Sequence, residues 1–412
     1  MADIAVIGAG ISGLHLALRL QQAGVSTTVY TDRAPEQMAS GRPTTLTLRW
    51  HNTRERERAL GVEHWERSDL DVYGINVNIE DEPPLRFFGR LEAPGTGVDF
   101  RVYLPALLQD YVDRGGKVEV TEFDIPTIDR LASRHDLVVV ATGRRTFADL
   151  FARVPERSPY TSAPRRLFGG LFRGIAPSDP SGIHLQLIPG AGEIFSVRQL
   201  SLDDELVHGM VVEAEPGGPL EPLTNASLAA DRAKLRTTLL DTLAQYAPLL
   251  RERIDEKEFN LTRPDDFLQG GLVPVVRESW ATLPSGGHAL ALGDAWVLND
   301  PLAGQGANLG SRCAFALTEL VLEDKPFDDT FRDRVARRMW ELAEPVVQWS
   351  NQAVGPPADG MVEILGAAGA DPRVGDAFVA NFDHPEAQWD ALRSLDSTRT
   401  WIEDVKGLQR TR

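Results

Sequence analysis

Hydrophobic positions change their spacing several times along this chain, and each change marks an expected element. Ile4, Val6 and Ile7 form a short strand pattern that runs into Gly8-Ala9-Gly10-Ile11-Ser12-Gly13. Leu14, Leu16, Ala17, Leu18 and Leu20 follow at helical density, with Gly24 as the expected C-cap. Val25 to Tyr30 reads as a second strand, which completes a βαβ opening. The charges alternating from Arg54 to Arg58 are expected on a solvated helix. Asp136-Leu137-Val138-Val139-Val140-Ala141 is apolar on both faces, as a strand covered on both sides must be. Residues 166–215 alternate apolar and polar, the pattern of an antiparallel sheet with one covered face. A helical stretch is expected over 226–253, and a strand over His288 to Leu292 that leads into Gly293-Asp294, a glycine-rich loop and a helix. From residue 341 the chain reads as mainly helical, broken at Gly355-Pro356-Pro357. No internal repeat or low-complexity linker separates these parts, so the lobes are expected to interleave.

The chain's 412 residues suffice for a sizeable core divided into two or three lobes. Its 43 Lys and Arg against 60 Asp and Glu leave a formal charge of -17, which disfavours nucleic acid and anionic membrane as partners. One cysteine, Cys313, excludes an intrachain disulfide and a cysteine-cluster metal site; it is expected as a small apolar helix residue. No apolar run reaches the roughly 18 residues of a membrane span. Asp3 falls at once into a strand, so no signal peptide is expected, and the cytoplasm is the default location.

Gly8-x-Gly10-x-x-Gly13, between a strand and a helix, is a dinucleotide-binding pattern. The first glycine permits a tight turn, the second admits pyrophosphate, and the third lets helix and strand pack closely. Helix N–H groups and the dipole hold the phosphate charge. This motif leaves FAD and NAD both open. The acid that normally takes ribose hydroxyls at the end of the second strand is replaced by Thr31, with Asp32 beside it, so loose flavin binding is expected. Gly293-Asp294 and Pro301-Leu302-Ala303-Gly304-Gln305-Gly306-Ala307-Asn308 decide for FAD. A carboxylate there can bond ribityl hydroxyls, and a helix N-terminus can stabilise the N1/C2=O edge of a reduced flavin. The combination resembles the p-hydroxybenzoate hydroxylase-like flavoproteins, which implies an α/β, Rossmann-like FAD-binding domain with an interleaved antiparallel-sheet substrate domain and a helical C-terminus. Single-component members carry an Asp-Gly motif in mid-chain. Here Thr142 stands in its place, before Gly143-Arg144-Arg145, and the sharper reading is that no nicotinamide is handled.

A more specific resemblance covers nearly the whole chain. Gly8 to Leu16, Val29 to Arg33, Asp99 to Tyr103, Leu268-Gln269-Gly270-Gly271, Pro301 to Asn308, Gln348-Trp349-Ser350-Asn351 and Asn381 to Asp390 are similar to the oxygenase components of styrene and indole monooxygenases. The resemblance implies FAD supplied reduced by a separate NAD(P)H-dependent flavin reductase, O2 as co-substrate, and epoxidation of indole- or styrene-like aryl alkenes through a C4a-hydroperoxyflavin, with sulfoxidation of aryl sulfides beside it. It assigns the cofactor to Gly8, Ala9, Gly10, Ser12, Gly13, Thr31, Asp32, Arg101, Asp294, Gly304, Gly306, Ala307 and Asn308. It assigns the substrate pocket to Thr47, Val72, Ile75, Gly95, Pro301 and Gly304. Thr47, Val72 and Ile75 fit the small-hydroxyl-plus-aliphatic lining of the indole branch, whereas Arg49 fits neither branch. The implied division is a discontinuous FAD-binding domain (1–72, 96–165 and 270–340), a substrate-binding domain (73–95 and 166–269) and a C-terminal helical region (341–412).

The cofactor carries the hard chemistry, so no acid, base or metal ligand is nominated. His15 is expected to be a packing histidine, and His51, in Trp50-His51-Asn52, is the histidine expected nearer flavin or substrate. Two rivals stay open at this point: a single-component NAD(P)H-dependent aromatic hydroxylase, and a non-catalytic flavin-binding module. The sequence also leaves a homodimer open.

Overall fold

The computed structural model describes residues 2–81, 83–143, 147, 150–323 and 326–407, so Arg144 and Arg145 of the mid-chain motif lie outside the described residues. The apolar runs read from the sequence form one six-stranded sheet. Its order is Trp280–Thr282, His288–Ala291, Leu137–Val140, Asp3–Ile7, Ser26–Thr31, Lys117–Val120. Every neighbouring pair is parallel except the antiparallel edge strand Trp280–Thr282. Leu137–Val140 lies next to the first strand and is buried along its whole length, as a strand covered by helices on both faces requires. The first helix, Ile11–Gln22, ends at Ala23, and Gly24 follows with a left-handed φ of 76°.

The second sheet has nine strands. Its main path runs Asn260–Leu261, Arg166–Arg173, Leu206–Ala214, Gly192–Leu200, Ile183–Ile188, Asp71–Ile79, Leu85–Gly97, Leu48–Arg49, and Phe267–Gly271 also pairs with Arg166–Arg173. Its pairs are antiparallel apart from Asp71–Ile79 with Ile183–Ile188. Side chains alternate between faces with the period of two that a strand imposes. Phe168, Phe172, Ile188, Ile194, Met210 and Val212 pack with Leu235, Leu239 and Leu243 of the helix Arg232–Tyr246. The alternate residues turn toward the six-stranded sheet. The chain closes with the helices Asp329–Ala353, Asp359–Ala370, Pro372–Ala380, Pro385–Leu392 and Leu395–Val405, which cover the Asp71–Gly97 hairpin through Ile364, Val374, Phe378 and Val379.

One local expectation holds only in part. The run from Arg54 to Arg58 lies on the helix His51–Leu60 and Glu55 is exposed, but the face is not solvated throughout: Arg54 is 3% exposed and Glu57 0%. This helix is wedged between the first helix and the second sheet. Arg54 turns inward to Glu63 and Asp71, both at 3.3 Å, and to the Pro94 carbonyl at 3.0 Å. Charge alternation reveals that the helix carries ion pairs, not where their partners lie. Among the described residues no helix is long and apolar enough to cross a membrane.

Candidate flavin and substrate site

A cavity of about 640 Å³ separates the two sheets. It begins where the first parallel strand ends. Gly8, Ala9, Gly10, Ile11 and Ser12 form its first wall, and Thr31, Asp32 and Arg33 flank it at the end of the second strand. The backbone here is close-fitting. Gly8 has φ 112°, and a Cβ on it would lie 2.7 Å from the Ala141 carbonyl oxygen; a Cβ on Gly13 would lie 2.1 Å from the Gly8 carbonyl oxygen. Gly13 therefore sits behind the wall, fixing helix to strand, and the wall itself presents bare backbone and a helix N-terminus.

Thr31 gives its hydroxyl to the Arg33 carbonyl at 3.2 Å, and Asp32 stands 4.0 Å from the Arg33 guanidinium. Neither is a long acid reaching across the cavity. Thr142 lines the cavity opposite Gly8. Asp294 follows the strand His288–Ala291 on a 3-10 turn, and its side chain is open to the cavity that it lines. The surrounding protein pushes it above the usual carboxylate range, opposed by Arg277. A polyhydroxyl chain donating to this carboxylate would relieve that penalty.

The far end is bordered by the loop from Asp300 to Gly306. Asp300 caps the short turn Pro301–Ala303 by accepting from the Leu302 N–H at 3.1 Å. Gly304 has φ 64°, and a Cβ there would meet the Trp50 ring at 3.4 Å. Gln305 ties the loop to the Phe382 carbonyl at 2.8 Å. The helix Gly306–Glu323 then starts with Gly306 and Ala307 at the cavity wall. Facing the loop is an apolar bowl formed by Leu46, Leu48, Trp50, Ile75, Phe195, Val197, Val211 and Leu268, with Thr45 and Thr47 as small polar members whose hydroxyls bond at 2.7 Å.

Of the residues assigned from the sequence, Gly8, Ala9, Gly10, Ser12, Thr31, Asp32, Asp294, Pro301, Gly304, Gly306, Ala307, Thr47 and Ile75 meet at this one cavity. Five stand outside its wall. Besides Gly13, Arg101 is buried with Asp99 at 2.6 Å and Asp266 at 2.6 Å, where it braces two segments. Asn308 turns away to accept from Trp50 N and Thr53 Oγ1 and to donate to the Leu48 and Gly304 carbonyls. Val72 and Gly95 pair across the hairpin behind the bowl, and a Cβ on Gly95 would press on Leu48 at 3.1 Å. The expectation for His51 is corrected: it borders a separate cleft of about 400 Å³ with Asn52, Glu92, Asp383 and His384, because the Trp50 ring stands between it and the main cavity. His15 is fully buried between Ser311 Oγ at 2.9 Å and the Tyr103 hydroxyl at 2.8 Å, as a packing histidine would be.

Sequence reasoning did not single out Trp50, Phe195, Val197 or Val211 as lining residues. The strand alternation over 166–215 held the information for three of them, but assigning a face needs a known partner layer. Among the described residues no three His, Cys, Asp or Glu groups cluster as metal ligands.

The fold and family follow from comparison with known proteins. The model of the "Styrene monooxygenase A putative substrate binding domain" matches residues 143–253, and that of the "FAD dependent oxidoreductase" family matches residues 3–77. The chain is 33% identical to styrene monooxygenase StyA of Pseudomonas fluorescens over 405 residues and 34% identical to StyA of a Pseudomonas species over 407, covering 97% of each protein in both cases. Among solved structures it resembles PqsL, described as a probable FAD-dependent monooxygenase from Pseudomonas aeruginosa (TM-score 0.59, 17% identity, 95% of this chain and 100% of that one). It likewise resembles the flavin-dependent brominase Bmp2 (TM-score 0.58, 15% identity, 98% and 93%). The glycine cradle, Asp294 on the cavity wall and the cavity of about 640 Å³ fit the cofactor these relatives share, and the chain belongs to the styrene monooxygenase family of FAD-dependent monooxygenases.

Proposed function

We propose that this chain is the oxygenase of a two-component system, taking reduced FAD from a separate NAD(P)H-dependent flavin reductase and epoxidising small aryl alkenes. The observation that carries the reading is the continuity of one cavity from the glycine cradle, past Asp294, to an apolar bowl under Pro301 and Gly304. In the proposed arrangement Gly8 to Ser12 and the helix N-terminus hold the pyrophosphate, Thr31 and Asp32 flank the adenosine ribose, and Asp294 takes the ribityl hydroxyls. Gly304, Gly306 and Ala307 pass under the ring. The resulting division of labour follows the discontinuous domains set out above, with the second sheet supplying the bowl.

When bound and reduced, FAD supplies the oxygen-activating chemistry. The chain's residues orient the alkene and exclude water. Leu46, Leu48, Ile75, Phe195, Val197 and Val211 leave a flat aryl group no competing hydrogen-bond partner on most sides, so position is set by shape. Thr47 and Thr45 are the polar exceptions and favour a substrate with one N–H, which supports an indole preference over styrene. A single methyl or hydroxyl in such a pocket discriminates by only about 1–3 kcal/mol, so styrene and aryl sulfides should also turn over.

The test adds components in turn. The purified chain with NADH and indole should be silent, and adding FAD with any flavin reductase should start substrate oxidation and indigo formation. Substrate-stimulated NADH oxidation by the chain alone would instead establish a single-component hydroxylase.

A further inference from the structure

A second feature of the cavity rim uses two residues that the assignment above leaves idle. Glu213 lies on the strand Leu206–Ala214, opposite Leu167 on one side and Glu193 on the other. The adjoining row on the same face is Gly169, Val211 and Phe195, all at the cavity wall, so Glu213 sits one step beyond the bowl and points the same way. It is fully buried, and neither of its oxygens receives a hydrogen bond from an N–H or hydroxyl. The group within hydrogen-bonding reach is the carboxyl of Asp300, the residue that caps the Pro301–Ala303 turn. Two carboxyls so placed attract each other only when one is protonated.

We propose that Glu213 and Asp300 share a proton and that this bond is the clasp holding the Pro301–Gly304 loop against the substrate sheet, which makes Glu213 a positioning residue for the pocket. The surrounding charges favour this state. Arg165, the cation whose charge acts on both carboxyls, is already bound to Glu193 at 2.9 Å through both Nε and Nη2, and Nη2 also lies 3.6 Å from Glu215. The charge of Asp300 also reaches Tyr160, whose phenol is raised by burial and then by this carboxylate. Burial pushes Glu213 well above the usual carboxylate range, with Asp300 and Glu193 adding to it, and burial also raises Asp300. A carboxyl that holds its proton more tightly folded than unfolded makes the folded chain bind more protons between the two values, so stability falls as pH rises through that window.

The test compares the wild-type chain with E213Q, D300N and E213L. Gln keeps the shape and a donor toward Asp300 but cannot ionise; Leu removes the bond. From mildly acid to neutral pH, E213Q should gain melting temperature relative to wild type, and the difference should grow with pH. The carboxylic-acid carbonyl stretch in the infrared spectrum at neutral pH should weaken in both E213Q and D300N. These two readouts need no turnover and therefore stand or fall apart from the epoxidase reading; only the third rests on it. In that third, E213L should raise KM for the aryl substrate about tenfold with a smaller loss in kcat, and E213Q should restore KM. A melting difference that does not change with pH, or an unaltered acid band, would refute the shared proton. Equal KM in E213L and E213Q would refute the clasp.

Discussion

Arg49, the residue that fits neither branch of the family pattern, is fully buried beneath the rings of Tyr103 and Trp65, 4.5 and 5.3 Å from its guanidinium carbon. It donates to Glu57, and from Glu57 a directed chain of hydrogen bonds crosses the interior. Tyr103 gives its hydroxyl to Glu57 at 2.6 Å and accepts from His15 Nε2 at 2.8 Å; His15 Nδ1 accepts from Ser311, whose oxygen accepts from Arg56 Nε at 2.7 Å. Each donor has one acceptor, so His15 is the neutral Nε2–H tautomer, and its pKa is lowered to about 3 by burial and then by Arg56 and Arg49. Burial pulls Glu57 up while Arg49 and Tyr103 pull it back, and the pair persists because both charges lack any exit to water. Removing one charge strands the other. Glu57→Leu or Arg49→Met should each cost about 3–5 kcal/mol in urea unfolding, and the double variant clearly less than their sum. Additive losses would show that the two groups do not act as a pair.

At the scale of elements, the loop that borders the apolar bowl is held from behind. Asn308, in the first turn of the helix Gly306–Glu323, spends all its bonding capacity on Trp50, Thr53, Leu48 and Gly304, joining the loop from Asp300 to Gly306 to the short strand Leu48–Arg49 and the helix His51–Leu60. Asn308→Ala should cost about 2–4 kcal/mol, since each such bond contributes near 1 kcal/mol and the stranded Trp50 N–H adds a desolvation penalty. It should also weaken FAD binding without touching it, measurable by flavin fluorescence titration. Unchanged flavin affinity would mean the loop holds its place unaided. This element also shows what a sequence can and cannot disclose. The glycine spacing Gly8-x-Gly10-x-x-Gly13 and the Pro301 to Asn308 run were legible because close backbone approach admits few residue types. The role of Asn308 was not, because a polar residue at a helix start reads equally as ligand contact or brace. Arg101 shows the same ambiguity: only the fold reveals that Asp99 and Asp266 already surround it. Val72 and Gly95 were assigned by the family resemblance, which does not disclose that the pair sits one layer behind the bowl, with Gly95 against Leu48.

The whole molecule couples its two sheets through the order in which the chain visits them. The segment 143–253 that matches a family model supplies four strands of the second sheet, yet both flanks of that ribbon are completed from elsewhere. Ile183–Ile188 pairs with Asp71–Ile79, and Arg166–Arg173 pairs with Asn260–Leu261 and Phe267–Gly271. Cut out alone, it would expose two strand edges and the cavity face with Leu167, Leu185, Phe195 and Val211, a combination that invites aggregation. The same interleaving should make the intact chain unfold as one unit. The eight tryptophans all lie outside the 143–253 segment, so their fluorescence reports on the remainder while far-UV circular dichroism reports on all of it. In urea the two curves should coincide, and FAD at about one hundred times its Kd should shift both by the same amount, about 2.7 kcal/mol for a ligand confined to the folded state. Were the dichroism to fall first, with tryptophan fluorescence and flavin binding retained, the second sheet would be an autonomous domain, and the clasp between Glu213 and Asp300 would be joining two independent bodies instead of closing one.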